Sequence, residues 1–329
     1  MAQLVGVINT AHSPFCYMPV ERWDVVKSNR PPYRDDVPVD SDEVNHAKAA
    51  RVQEGFSVLR DKLAELRPDV IILFGDDQEE IFDFNNHPAI AVYVGAEFSG
   101  RVSSGDAMFM GGGGTPPEQK RVPGHVALGT SLLTGLLDRG FDPAFMMEVP
   151  KPEKGMCHAI MRPLESLTNY DIPTVPVLLN AYYAPQLTAM RCYEIGKAVR
   201  EVIDAYPEDL RVVIVGSGGL WHTPGQKGSH LDEEFDRVGL GYLESGDIKA
   251  WAAHFDAYQV ADDDPSQDST TVRRGVTGLP TPGGPQGGTR ESCNWIAAAA
   301  AVEGRPSVIV DYIPIYASPV GAAFAWAEA

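Results

Sequence analysis

Arg211–His222 reads RVVIVGSGGLWH, and this stretch decides the fold. Val212–Val215 is a run of β-branched and aliphatic residues, closed by Gly216-Ser217-Gly218-Gly219. Such a run predicts a strand buried on both faces that delivers a tight loop. Paired glycines let that loop turn sharply and bring its backbone close to a ligand. His222 follows at once, so an imidazole is carried to the end of a strand. Ligands of open α/β sheets bind beyond the carboxyl ends of strands. A single histidine after a glycine turn is as readily incidental, so the other strand ends decide.

Four other places supply polar residues at a strand end or a helix start. Leu4–Ile8 reads as a short strand followed by Asn9-Thr10-Ala11-His12-Ser13-Pro14, with Pro14 ending it. Val70–Phe74 reads as a second buried strand, ending in Gly75-Asp76-Asp77-Gln78-Glu79-Glu80. Asp76, Asp77 and Gln78 stand nearest the strand and are candidate site residues, whereas Glu79 and Glu80 are expected to be solvated. His158 opens a helix that runs to Leu167. Glu291 falls in the first turn of the last main helix, where the dipole favours a carboxylate, with Thr289 as its cap.

The remaining pattern alternates strand and helix. Cys16–Val44 reads as a long surface excursion, suited to a lid or a dimer contact. Asp42 is placed to cap the next helix, whose stripe is Val52, Phe56, Leu59, Leu63 and Leu66. His46 lies on that helix about 100° round from the stripe. Strands are expected at Ala89–Val94, Phe145–Val149, Thr174–Leu179 and Ser307–Ile313, the last as the final strand. Helices are expected at His125–Leu137, within Pro185–Tyr206, at Asp232–Leu243, Ile248–Phe255 and Trp295–Val302. Glu97–Val122, which contains Gly111–Gly114, and Asp262–Gly288 read as loops. The pattern predicts one α/β domain over residues 1–329, with a mixed, mostly parallel sheet flanked by helices on both faces.

Composition narrows the function. The chain has 329 residues, 44% hydrophobic and 22% charged, as globular proteins do. Its 27 basic and 45 acidic residues give a net charge of −18, which argues against nucleic-acid and anionic-membrane partners. Cys16, Cys157, Cys192 and Cys293 form no CxxC pair, which speaks against a zinc knuckle or a disulfide framework. With no signal-peptide pattern and no membrane-length apolar run, a cytoplasmic location is expected. The chain lacks GxSxG, GxxxxGK[ST] and a GxGxxG between strand and helix. Two histidines with a carboxylate are the recurrent ligand set of non-haem Fe(II), but no ExxH or HxxxH pair marks a metal by spacing. Arg101, Lys120, Arg121 and Arg273 are candidate partners for a substrate carboxylate, each with a solvated surface role as the simpler reading.

The pieces GVINTAHSPF, FGDDQEEIF, KGMCHAIMRPLESL, VGSGGLWH followed by LDEEFD, and TRESCNW occur in the chain in that order. With them, nearly the whole chain resembles the catalytic (beta-type) subunits of class III extradiol ring-cleavage dioxygenases, of the protocatechuate 4,5-dioxygenase and 3-O-methylgallate dioxygenase kind. The resemblance implies Fe(II) held by His12, by Glu291 and by a strand-end histidine. It implies proton transfer by His222, with His158 as a further active-site histidine. At the strand-end ligand this chain departs from the pattern: Gln78 stands where the histidine is expected. Gln78 then completes the metal set, or Asp77 or His46 does so in its place. The implied reaction opens a catecholic or gallate-like ring with O2. The alternative is a metal-free member of the fold, acting as a hydrolase or lyase or as a non-catalytic binding protein. A homodimer or larger homo-oligomer is expected. The resemblance leaves open the particular aromatic and any need for a small partner subunit.

Overall fold

The fold is taken from a computed structural model, which describes residues 1–102, 118–261, 264–267 and 279–329. Gly111–Gly114 and Arg273 lie outside the described residues. The strand read in RVVIVGS is β8 (Arg211–Ser217). Its side chains alternate as a pleat requires: Val212 and Ile214 enter one hydrophobic cluster, Val213 and Val215 the other. β2 (Val70–Gly75) behaves in the same way, with Val70, Ile72 and Phe74 on one side and Ile71 and Leu73 on the other. Both strands are therefore buried on two faces.

These strands sit at the middle of an eight-stranded sheet that also takes in β1 (Gln3–Thr10), β3 (Ile90–Tyr93), β6 (Ala144–Met146), β7 (Thr174–Leu179), β9 (Val308–Ile315) and β10 (Val320–Glu328). Their order is β6-β3-β7-β2-β8-β1-β10-β9. The central pairs β7/β2, β2/β8 and β8/β1 are parallel, as is β3/β6 at one edge. β3/β7, β1/β10 and β10/β9 are antiparallel. Thr10 pairs with Ser217 and Phe74 with Gly216, so β1, β2 and β8 end side by side.

Helices cover both faces. α3 (Val126–Asp138), α5 (Ala189–Ala205), α6 (Glu233–Ser245), α7 (Ile248–Ala257) and α8 (Ser292–Ala300) bury their apolar sides in one cluster. α2 (Asp42–Leu66) and α4 (His158–Leu167) bury theirs in the other. The α/β class with a mixed sheet and two helical layers is as the sequence pattern predicts.

Four local expectations are corrected. Ser41, not Asp42, caps α2, its side chain accepting from Val44 N–H at 3.3 Å. The excursion after Cys16 is more than surface: α1 (Trp23–Ser28) buries Trp23 and Val26 beside Phe15. The ends of the loop Glu97–Val122 pair as a hairpin, β4 (Glu97–Arg101) with β5 (Gln119–Pro123). β9 is not the last strand, because β10 follows it and inserts between β1 and β9. The β10 sequence, VGAAFAWAE, carries alanines of weak strand preference, and packing in the middle of a sheet overrides that preference.

Candidate active site

The three neighbouring strand ends bring His12, Asp76 and the Gly218–His222 loop together, and α8 delivers Glu291 to the same place. Glu291 ends a 3-10 turn, Gly287–Glu291, directly before α8 rather than lying in the first turn of that helix. The loop from β8 can pass so close because it is glycine: a Cβ on Gly218 would lie 2.8 Å from Glu291 O and 2.9 Å from its Cβ.

Glu291 is 1% exposed and accepts on both oxygens. Its Oε1 receives Gln78 Nε2 at 2.8 Å, and its Oε2 receives Gly219 N–H at 3.0 Å. Two imidazoles also face it: His12 Nε2 is 2.9 Å from Oε2 and His222 Nε2 is 3.3 Å from Oε1. Burial pushes the Glu291 carboxyl upward, but the neighbouring His222 holds it well below the usual carboxylate range. It is therefore an anion.

The tautomer of His12 follows from its other nitrogen. Ser217 Oγ donates to Ala159 O at 2.6 Å, so its single proton is committed. It must then accept from His12 Nδ1–H, 2.8 Å away. That leaves Nε2 as a lone pair aimed at an anion. The approach to Glu291 is close, yet it lacks hydrogen-bond geometry, and Nε2 is a buried polar atom without a hydrogen-bond partner. Desolvation lowers the pKa of His12 despite the pull of Glu291, which keeps the ring neutral. A neutral imidazole held by Nδ1–H, with a bare Nε2 beside carboxylates, is how metal-binding histidines are presented.

Asp76 completes a cluster. Ligand atoms of His12, Asp76 and Glu291 all lie within 4.8 Å of one another. Asp76 is wholly buried, and its Oδ1 accepts from Asn294 Nδ2 at 3.1 Å. Burial and the neighbouring Glu291 raise its carboxyl well above the ordinary range. A second carboxylate this near the first is compensated by a proton or by a cation.

Gln78, given a ligand's place in the sequence reading, presents its amide nitrogen to Glu291. The reverse orientation would set two oxygens against each other at 2.8 Å, so the donor must be the near atom. Asp77 turns away: its carboxylate accepts the backbone N–H groups of Ile81 and Phe82, each at 3.0 Å. Burial raises it to about 6, with those two bonds pulling the other way. His46 is not brought to the cluster. It is exposed on α2, bonding Asp42 O at 2.8 Å and facing Glu21.

His222 and His158 both line the cavity over the cluster. His222 Nδ1–H donates to Leu220 O at 2.9 Å, leaving Nε2 toward Glu291. Burial works against its charged form, yet Glu291 and the Leu220 bond raise its pKa above the usual histidine value. His158 stands edge-on to His12, ring centres 4.8 Å apart. Its Nδ1–H and backbone N–H both meet Glu80, the ring bond being 2.6 Å. The expectation that Glu80 is solvated is thereby corrected. Glu80 orients a cavity histidine, and the turn that brings it back from β2 leaves no local sequence signal.

The cavity holds about 300 Å³ and is lined by His12, Gln78, His158, His222 and Glu291, with Arg30 and Ser318 among the other walls. That is the lower end of ligand-site volumes and suits one small ring. Three of the cations considered from sequence lie elsewhere: Lys120 pairs with Glu118, Arg121 with Glu97, and Arg101 bonds Glu153 O.

A three-layered α/β chain with a histidine–carboxylate cluster at adjoining strand ends defines a class: α/β proteins with a metal-competent site beyond the carboxyl ends of the strands. Residues 38–279 match the family model described as the catalytic LigB subunit of aromatic ring-opening dioxygenase, and the chain belongs to that family. The resemblance to class III extradiol dioxygenases read in the sequence is thus borne out. The gallate dioxygenase of Pseudomonas putida is 33% identical over 136 residues, 40% of this chain and 38% of that protein. The 2,3-dihydroxyphenylpropionate/2,3-dihydroxicinnamic acid 1,2-dioxygenase of Photorhabdus laumondii is 28% identical over 178 residues, 54% of this chain and 50% of that one. The chain thus spans half or less of the length of these two curated relatives. A solved structure of an uncharacterized Escherichia coli K12 protein aligns over 98% of this chain and 99% of its own, with a TM-score of 0.44 and 13% identity. No helix among the described residues is long and apolar enough to cross a membrane.

Proposed function

We propose that the chain opens a catecholic or gallate-like aromatic ring with O2, using Fe(II) held by His12, Glu291 and Asp76. His12 and Glu291 lie outside the span matched by the family model, so their roles rest on the geometry. The observation that carries the reading is the locked His12 tautomer, whose orphaned Nε2 faces two buried carboxylates. One imidazole with two carboxylates is a donor set suited to a first-row dication such as Fe(II). When bound, iron supplies a common site for the ring oxygens and O2 and tunes their electronics.

The protein's own residues do the rest. Gln78 and Gly219 fix the Glu291 carboxylate from opposite oxygens, as supporting groups around a metal ligand do. Ser217 fixes the ring of His12. His222 holds or releases a proton at Nε2, the atom facing the cluster, and near-neutral titration suits it to take a proton from a ring hydroxyl and return one later. His158, its ring held by Glu80, is a second imidazole facing the cavity. Tyr182, itself buried, forms part of the cavity wall. Residues 1–329 act as one catalytic unit in this reading.

The test is oxygen uptake and ring opening with 3,4-dihydroxybenzoate and gallate after anaerobic loading with Fe(II). Ring-opened product that requires iron supports the reading. Loaded protein that opens neither ring, or that turns over equally with chelator, contradicts it.

A further inference from the structure

Arg30 stands apart from the other charged residues of the cavity. It lies after α1, in the segment between β1 and α2 and outside the span matched by the family model. Its guanidinium lies over the Phe15 ring, 5.4 Å from the centre, and its Nη1 donates to Ser318 Oγ at 2.8 Å. Among the described residues no carboxylate pairs with it. Arg162, by contrast, lies near Glu80 and donates to His12 O at 2.8 Å. A largely buried arginine stays charged at any working pH, and leaving it without an anion is costly.

The segment is fixed in place from two sides. Tyr33 Oη donates to Ala317 O at 3.0 Å, Gly228 N–H donates to Pro32 O at 2.8 Å, and Arg34 N–H donates to Ser229 O at 3.2 Å. The guanidinium is thus held against the cavity rather than left to swing in solvent. Ser318 accepts from Arg30, which leaves its own hydroxyl proton free to donate. The two together offer a planar fork and a hydroxyl to one anion, a match for carboxylate geometry. The anionic Glu291 repels an anion from its end of the same cavity. A ring bearing both hydroxyls and a carboxylate is therefore oriented by charge.

We propose that Arg30, with Ser318, is the anion receptor of the cavity and selects aromatic substrates that carry a carboxylate. This rests on reading the cavity as the substrate site. The experiment is anaerobic calorimetric binding of 3,4-dihydroxybenzoate and of neutral 4-methylcatechol to the wild type, Arg30→Gln and Arg30→Lys, each checked for an unchanged melting temperature. The wild type is expected to prefer the carboxylate by about tenfold or more, since a bond between charged groups carries at least that. Arg30→Gln should erase the preference by weakening only the carboxylate, and Arg30→Lys should restore part of it. An unchanged ratio in Arg30→Gln, or no preference in the wild type, overturns the proposal, as does failure of the wild type to bind either compound. The two readings fail separately. A preference that follows Arg30 without ring opening removes the reaction and keeps the receptor. Ring opening with equal kcat/KM for both compounds in wild type and Arg30→Gln does the reverse.

Discussion

Gln78 Nε2 lies 2.8 Å from Glu291 Oε1 and 3.5 Å from Asp76 Oδ2. One amide thus stands between two buried carboxylates as their shared donor, the nearer bond being the strong one. In the proposed reading the residue after β2 braces the acid rather than standing as a metal ligand itself.

Removing the brace should loosen the metal without abolishing it. Gln78→Ala is expected to weaken Fe(II) binding about 10- to 100-fold, the usual effect of losing a group that supports a ligand. Asp76→Ala should cost more, and His46→Ala should cost nothing, since His46 is exposed on α2. Anaerobic Fe(II) titration ranks the three. Equal affinities for wild type and Gln78→Ala would remove the bracing role.

His222 should matter for turnover and not for metal. His222→Phe is expected to keep its iron content while kcat falls by about 10²- to 10⁴-fold, the range for a general acid–base group. Loss of iron in step with activity would make His222 a ligand instead.

Space around His222 is already full. A Cβ on Gly288 would lie 2.3 Å from His222 Nε2. Gly288→Ala is expected to displace the imidazole and lower kcat toward the His222→Phe level, with the iron content kept. Steady-state kinetics beside metal analysis reads this. Wild-type turnover in Gly288→Ala would show that the ring moves freely without loss.

Asp236 links the Gly218–His222 loop to pH. Its carboxylate accepts from Trp221 N–H at 2.8 Å and from Tyr312 Oη at 2.8 Å. Burial raises it to about 7 from the ordinary 3.8, with those two bonds acting the other way. Because the folded value lies above the unfolded one, the folded state binds the proton more tightly. This contribution to stability is complete below about pH 4 and is lost as pH rises through about 7. From pH 5 to pH 8 the loss is on the order of 2 kcal/mol. Asp236→Asn should flatten that part of the stability curve, measured by urea unfolding at each pH. Parallel curves for wild type and variant would contradict the assignment.

The parts of the fold that depend on simple periodicity were legible. The two-sided burial of β2 and β8 shows as uninterrupted Val/Ile runs, and α4 begins at His158 and ends at Leu167 as its pattern predicts. β10 was hidden because alanine-rich AAFAWA has no strand-like alternation and owes its place to neighbours distant in sequence. In the site, His12, His158, His222 and Glu291 were legible because each adjoins a strand end or a helix start. The bracing by Gln78, the clustering of Asp76 and the pairing of Glu80 with His158 were not. Each depends on where a side chain of the Asp76–Glu80 turn points, and a run of consecutive polar residues does not encode that. Arg30 was overlooked for a similar reason: only its seating against Ser318, 288 positions away, separates it from other surface cations.

The central claim is that His12, Asp76 and Glu291 hold one Fe(II) whose loss stops the reaction. Metal content after anaerobic Fe(II) loading and gel filtration, for the wild type and for His12→Ala, Asp76→Ala and Glu291→Ala, tests it most directly. Stoichiometric iron in the wild type and little in any of the three folded variants is the predicted result. A wild type that retains no iron, or a Glu291→Ala variant that retains it fully, would contradict the account.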